Sequence, residues 1–111
     1  MPLPDDDSKD ARPSGVRASK RVNARIPVAV EWEEDGHTFR KEGYTLDVGG
    51  YGCLVVVPQD LSRGQSLRLT NLINNQSSKA VITWKGEERS GVWEFGMTLV
   101  NPDPDFWDLE I

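Results

Sequence analysis

The sequence contains very few of the side chains that build metal centres, disulfides or nucleophilic active sites. Its 111 residues include one cysteine, Cys53, and one histidine, His37. A single cysteine excludes a disulfide framework and a cysteine-based zinc cluster, and a single histidine excludes a site that needs two imidazoles. There is no C-x-x-C, H-E-x-x-H or G-x-x-x-x-G-K-[ST] motif, and the carboxylates show no paired pattern for acid–base chemistry. We therefore expect a protein that is not an enzyme and holds no metal or other cofactor.

Long apolar segments are also missing. The longest apolar run, Leu54–Val57, has the length of a buried strand, whereas a helix needs about 20 apolar residues to cross a bilayer. The first residues, Met1–Asp7, have neither a basic start nor an apolar stretch, so they do not resemble a secretion signal. These absences predict a cytoplasmic protein that does not insert into membranes.

Negative charge dominates the sequence but is unevenly distributed. The formal net charge is −5 at pH 7. Residues 17–25 contain four basic and no acidic residues, whereas residues 26–111 contain fourteen acidic and seven basic ones. An acidic body repels a long polyanion and no duplex-sized basic face is present, so we expect no binding to a nucleic acid polymer. A short basic arm on an acidic body suits a compact anion that carries a few charges.

Most of the chain shows the alternating pattern of β-strands. In the first strand Ile26, Val28, Val30 and Trp32 fall on one face with a period of two. An Asp-Gly turn at residues 34–37 then predicts a hairpin. Six such segments are separated by turn residues, at 26–33, 39–48, 53–57, 66–73, 80–85 and 93–99. This pattern predicts an all-β protein, a small six-stranded antiparallel barrel. The same pattern places Trp32, Trp84 and Trp93 in its core.

The remaining segments flank this barrel. Residues 1–16 contain prolines, serines and an aspartate run with little apolar surface, so we expect a disordered tail. Residues 17–25 form a flexible basic arm, residues 26–100 the barrel, and residues 101–111 a C-terminal tail or short helix. Within the last segment, Trp107 either docks the tail on the barrel or contributes to a partner surface.

Two motifs carry the chemistry of a ligand site. Arg21 and Arg25, four residues apart in the arm, offer planar cations that bind phosphate and stack on flat rings. Asp47, at the end of the second predicted strand, can accept hydrogen bonds from the N–H edge of a guanine. The glycines that follow it, three in four residues, imply either positive φ or a close approach of backbone to backbone or ligand. Neither motif is specific alone, and the arginines could equally be a solubilising arm.

The order and spacing of the two motifs resemble those of the PilZ domain, whose signatures are R-x-x-x-R and [D/N]-x-S-x-x-G. Arg21 and Arg25 match the first signature, and Asp47 and Gly52 match the ends of the second. Gly49 stands where the family has serine. Further agreement lies in three segments, at residues 58–67, 81–84 and 93–97. The resemblance covers residues 17–100, nearly all of the chain expected to be ordered.

The resemblance implies a receptor for cyclic di-GMP, with Arg21, Arg25, Asp47, Gly49 and Gly52 as ligand-binding residues. Further ligand contacts are expected from three other positions, Arg17, Lys20 and Gly50. In this interpretation the arm becomes ordered over the ligand and changes a surface that a downstream protein partner reads. The alternative is a degenerate PilZ-like adaptor that no longer binds nucleotide and acts through protein–protein interaction.

Overall fold

The computed structural model describes residues 21–103 and 105–109, which form seven strands and no helix. The strands are β1 (Arg21–Asn23), β2 (Pro27–Glu34), β3 (His37–Gly49), β4 (Gly52–Val57), β5 (Ser66–Asn71), β6 (Gln76–Arg89) and β7 (Val92–Leu99). The described residues therefore include no helix long and apolar enough to span a membrane. The predicted tail, residues 1–16, lies outside the described residues.

Six of these strands form a closed antiparallel barrel. Neighbouring strands follow the order β3-β2-β5-β6-β7-β4, and β4 pairs in turn with β3. Strand β3 closes the barrel because it is long enough to pair with two other strands of the barrel: residues 37–44 pair with β2 and residues 44–49 pair with β4. The prediction of an all-β, six-stranded antiparallel barrel is confirmed.

Alternating apolar side chains fill the barrel as the sequence indicates. Val28, Val30 and Trp32 of β2 are buried, and Phe95 and Met97 of β7 face them within one cluster of apolar side chains. Full burial of one such side chain stabilises the fold by about 1.5–3 kcal/mol. Cys53 belongs to the same cluster. Burial raises the pKa of its thiol to about 12, against a smaller opposing effect of the Arg21 charge, so the thiol remains protonated and unreactive.

Two hairpins project from the end of the barrel away from the β3–β4 turn. The β2–β3 hairpin turns at Asp35 and Gly36, whose φ angles of 52° and 79° are those of the predicted Asp-Gly turn. The β6–β7 hairpin turns at Ser90 and Gly91, with φ of 55° and 85°. Residues 86–89, expected in that turn, belong instead to β6. The sequence predicts a β6 that is too short, because the half of the strand next to the β6–β7 turn contains few apolar residues that could show alternation.

Part of the predicted arm is a strand. Strand β1 pairs antiparallel with the end of β3. After β1 the chain turns a corner at residues 24–26, where it bonds Thr45 of β3. The Ile26 amide donates to the Thr45 hydroxyl (2.9 Å), which donates to the Ala24 carbonyl (2.5 Å). Thr45 is fully buried, so its hydroxyl satisfies two backbone groups that the corner would leave without partners. The described part of the arm, residues 21–25, is therefore attached to the barrel.

The C-terminal segment is an irregular tail, so the alternative of a short helix is wrong for the described residues. The Phe106 amide donates to the Asp103 carbonyl and the Asp108 amide to the Asp105 carbonyl, each closing one isolated turn. Asp108 has a φ of 56°, a left-handed conformation that does not continue a helix. Phe106 and its neighbour Trp107 are both buried. Of the two alternatives that the sequence leaves open for Trp107, docking of the tail on the barrel agrees with this packing.

Candidate functional site

The pairing of β1 with β3 brings the two motifs together. Arg21 lies opposite Gly49, and Asn23 lies opposite Asp47. In such a ladder the residue diagonal to Arg21 is Asp47, within reach of a long side chain. Arg21 Nη1 indeed donates to Asp47 Oδ1 at 2.5 Å. Residues 26 positions apart in the chain therefore form one ion pair on the outer face of the barrel.

The Arg21–Asp47 pair is accessible to solvent. The Arg21 side chain is 44% exposed and the Asp47 side chain 26% exposed. An ion pair of this exposure is worth about 0–1 kcal/mol, so a ligand can exchange it for its own contacts at small cost. The carboxylate also retains acceptor positions that Arg21 does not use, because each carboxylate offers about four.

Arg25 lies over an aromatic ring that the sequence reasoning did not single out. Its guanidinium carbon is 4.6 Å from the centre of the Tyr44 ring. This cation–π contact holds the second arginine against the outer face of β3, where an exposed arginine would otherwise sample many rotamers. Tyr44 precedes Asp47 by three residues, and strict alternation would place two residues with this odd separation on opposite faces of the strand. A bulge between Thr45 and Asp47 changes which residues share a face.

Gly52 is required by a close approach of two strands. A Cβ atom built on Gly52 would collide with the Met97 carbonyl of β7. Its φ is not in the left-handed region, which among the described glycines is adopted by Gly36, Gly64 and Gly91. Of the two explanations that the sequence leaves open for the glycine-rich turn, close backbone approach therefore applies at this position.

Gly49 is connected to the C-terminal tail. It is buried, and its carbonyl oxygen accepts a hydrogen bond from Nε1 of Trp107 at 3.0 Å. Gly50 and the exposed Tyr51 form the turn between β3 and β4. The remaining predicted contacts, Arg17 and Lys20, lie outside the described residues.

Trp84 is not a core residue, contrary to the sequence prediction. It is 49% exposed, and its side chain lies against the backbone of Gly96 and Gly86, where added Cβ atoms would contact it. Asp47, Leu54, Gly96 and Trp84 are consecutive partners across β3, β4, β7 and β6. The alternation is correct for Ala80 and Ile82, which are buried, and fails at Trp84, because a bulge between Ile82 and Trp84 shifts the register.

A groove next to Tyr44 carries side chains of both charges. Its volume is about 220 Å³, it is lined by Val56 and Trp93, and its charged residues are Glu87, Glu94 and Arg89. Two carboxylates against one guanidinium give the groove a net negative charge, which disfavours an anion there. Among the residues that the structure describes, no group of three or more histidine, cysteine, aspartate or glutamate side chains could hold a metal ion.

No family model matches the sequence, and no curated protein matches it.

Proposed function

We propose that this protein is a non-catalytic receptor domain of the PilZ type that binds cyclic di-GMP. The observation that carries the proposal is the Arg21–Asp47 ion pair, which joins the R-x-x-x-R arm to the D-x-G-G-x-G turn on one exposed face. A purely solubilising arm needs no such pairing. A site for a folded dinucleotide needs cations near a guanine acceptor. The β1–β3 register brings Arg21 to Asp47, and Arg25 lies over Tyr44 of the same strand β3.

The two arginines make different contacts in the structure, and this difference suits a ligand with two phosphates and two flat bases. Arg21 is paired with a carboxylate and can turn its remaining donors to a phosphate. Arg25 lies flat over Tyr44, and the opposite face of its guanidinium is where a guanine would stack. Each arginine–phosphate contact is a charge-assisted hydrogen bond, worth about 1.5–3 kcal/mol.

Asp47 is the proposed acceptor for the N–H edge of a guanine, with the segment from Gly49 to Gly52 as the floor beneath the ligand. Gly52 has no side chain because β7 approaches it closely. Gly50 is an additional proposed contact in this turn. Where the family's serine would add one hydrogen bond, Gly49 adds none, which lowers the expected affinity by about 2- to 13-fold, or 0.5–1.5 kcal/mol.

The proposed response to ligand binding involves residues both inside and outside the described part of the chain. Since β1 already pairs with β3, ordering of the arm by ligand concerns residues 17–20, including Arg17 and Lys20, which lie outside the described residues. The proposed output is a change in the surface around the arm that a downstream protein partner reads, which is a disorder-to-order switch in a cytoplasmic signalling protein.

A second candidate function is the nucleotide-independent adaptor. The observation that favours it is the exposed Trp84 ring, which lies against Gly96 and Gly86 on the outer face; Tyr44 is also exposed. Exposed aromatic side chains are enriched in protein–protein interfaces. In this alternative the arginines are solvated and the surface is already formed without ligand.

Isothermal titration calorimetry with cyclic di-GMP separates the two functions. We expect saturable binding by the wild-type protein, none with GTP, and a loss of about 13- to 160-fold in affinity for Arg21→Ala and for Arg25→Ala, which is the cost of one charge-assisted contact. Arg68→Ala is the matched control, because Arg68 is an exposed arginine on β5, which pairs with neither β1 nor β4. An absence of heat from folded wild-type protein would contradict the receptor function and leave the adaptor.

A further inference from the structure

The C-terminal tail, residues 105–109, closes the end of the barrel that carries the glycine-rich turn. Phe106 is 1% exposed and Trp107 is 2% exposed. Their rings meet edge to face, with 4.7 Å between centroids and 85° between planes. Both belong to the barrel's apolar cluster, so the tail is part of the core although it belongs to no strand.

Two asparagine side chains fix the position of this tail. Asn71 Nδ2 donates to the Phe106 carbonyl at 3.0 Å, and Asn74 Nδ2 donates to the same carbonyl at 3.3 Å. Asn71 is buried, and its Oδ1 accepts from the Ile73 amide at 2.9 Å. A buried amide with both ends bonded sets one position for its partners. The backbone before Trp107 is therefore held by the β5–β6 connection.

Trp107 then connects the tail to the candidate ligand site. The only donor of its side chain, Nε1–H, bonds the Gly49 carbonyl at 3.0 Å in a buried environment. Gly49 lies opposite Arg21 on β1 and opposite Gly52 on β4. One peptide group thus receives the tail from inside the barrel and borders the proposed ligand from outside.

We propose that Trp107 is a positioning residue for the ligand site, acting through the Gly49 carbonyl; this inference rests on the proposed binding of cyclic di-GMP. The hydrogen bond fixes the orientation of the Gly49 peptide and with it the floor of the site, at a position where glycine has the largest conformational freedom to lose. By thermodynamic reciprocity, ligand in the site strengthens the docking of the tail by the same factor that docking strengthens the ligand.

The first test compares two tryptophan variants by calorimetry with cyclic di-GMP. Trp107→Phe keeps an aromatic ring and removes the N–H donor. We expect its affinity to fall by about 2- to 13-fold, the contribution of one hydrogen bond. Trp32→Phe is the matched control, because Trp32 is also buried but stacks on Phe39 near the β2–β3 turn. We expect Trp32→Phe to bind as the wild type does, even if it lowers stability.

The second test needs no variant. In a ¹H–¹⁵N spectrum of the wild-type protein, the indole signal of Trp107, assigned through its sequential neighbours, should shift during a titration with cyclic di-GMP, with the midpoint that calorimetry gives. The indole signal of Trp32 should not move. A Trp107 indole signal that does not move while ligand binds would contradict the coupling, because the indole N–H bonds the Gly49 carbonyl directly.

The outcomes separate this inference from the function on which it rests. Weaker binding by Trp107→Phe than by Trp32→Phe, together with a ligand-dependent Trp107 signal, supports the coupling. Wild-type binding with an unchanged affinity in Trp107→Phe, or with a Trp107 signal that ignores the ligand, overturns the coupling and leaves the receptor function intact. An absence of wild-type binding overturns both.

Discussion

The two ends of the barrel are built in opposite ways. At the hairpin end, both turns join strands that are adjacent in the chain, at Asp35–Gly36 and Ser90–Gly91. At the site end, the contacts join residues far apart in sequence: 26 positions separate Arg21 from Asp47, and 58 separate Gly49 from Trp107. Local chemistry therefore specifies both turns of the hairpin end. The candidate site includes the short turn between β3 and β4, but its ion pair and its bond to the tail form only once distant segments of the chain have met.

The largest expected effect concerns the buried tail at the site end. Phe106→Ala should lower the free energy of unfolding by about 3–5 kcal/mol, because it empties a fully buried aromatic position. Phe39→Ala is the matched change at the hairpin end, where the ring is 42% exposed, and should cost clearly less. Urea denaturation of both variants measures the difference, and equal losses would contradict the contrast between the two ends.

The two ends should also differ in what a glycine substitution does. Gly52→Ala places a Cβ against the Met97 carbonyl, so we expect a loss of about 1–3 kcal/mol as two strands are forced apart. Gly36→Ala meets no neighbouring atom, and its cost is the left-handed φ of 79°, about 1–2 kcal/mol. The affinity of the folded fraction for cyclic di-GMP distinguishes them further. It should fall for Gly52→Ala alone, and a fall for Gly36→Ala would place the hairpin in the site.

Introducing the serine of the PilZ signature at Gly49 should strengthen the site end. Gly49→Ser adds one hydroxyl beside the proposed ligand, and the φ of Gly49 is not left-handed, so no backbone strain opposes it. We expect cyclic di-GMP to bind about 2- to 13-fold more tightly, the contribution of one hydrogen bond. Gly91→Ser at the other hairpin serves as the control and should leave affinity unchanged. Weaker binding by Gly49→Ser would contradict a hydroxyl-compatible site.

The smallest expected effect tests the platform under Arg25. Tyr44→Leu removes the aromatic face and should weaken binding by about 2- to 5-fold, the contribution of an exposed cation–π contact, or 0.5–1 kcal/mol. Tyr44→Phe retains that face and should bind almost as the wild type does. If calorimetry gives the same affinity for the Tyr44→Leu and Tyr44→Phe variants, then Tyr44 does not position Arg25.

The sequence predicts correctly those elements whose short segments carry their own signal. The alternation of Val28, Val30 and Trp32 placed β2 and its inner face correctly, and Asp35–Gly36 located the first hairpin. The prediction failed at Trp84, where a bulge reverses the face that alternation assigns, and at residues 86–89, which extend β6. Bulges insert a residue into one strand in response to its partner, so a single strand's sequence does not reveal them.

The candidate site shows the same division. The residue types of both motifs were readable from the sequence, and the resemblance to the PilZ domain indicated that they act together. Three features were not readable: the ion pair between Arg21 and Asp47, the Tyr44 ring beneath Arg25, and the bond from Trp107 to Gly49. Each depends on which segments become neighbours in the fold, and the local sequence around either partner does not encode that pairing.

The sequence by itself determined the all-β class, the number of barrel strands and the positive charge of the arm, because alternation, turn residues and charge are local properties of a chain. Only the tertiary structure decided that β1 pairs with β3, that Trp84 lies outside the barrel and that the tail fills its end. Those features follow from register and closure, which minimise unpaired backbone groups and exposed apolar surface over the whole molecule at once.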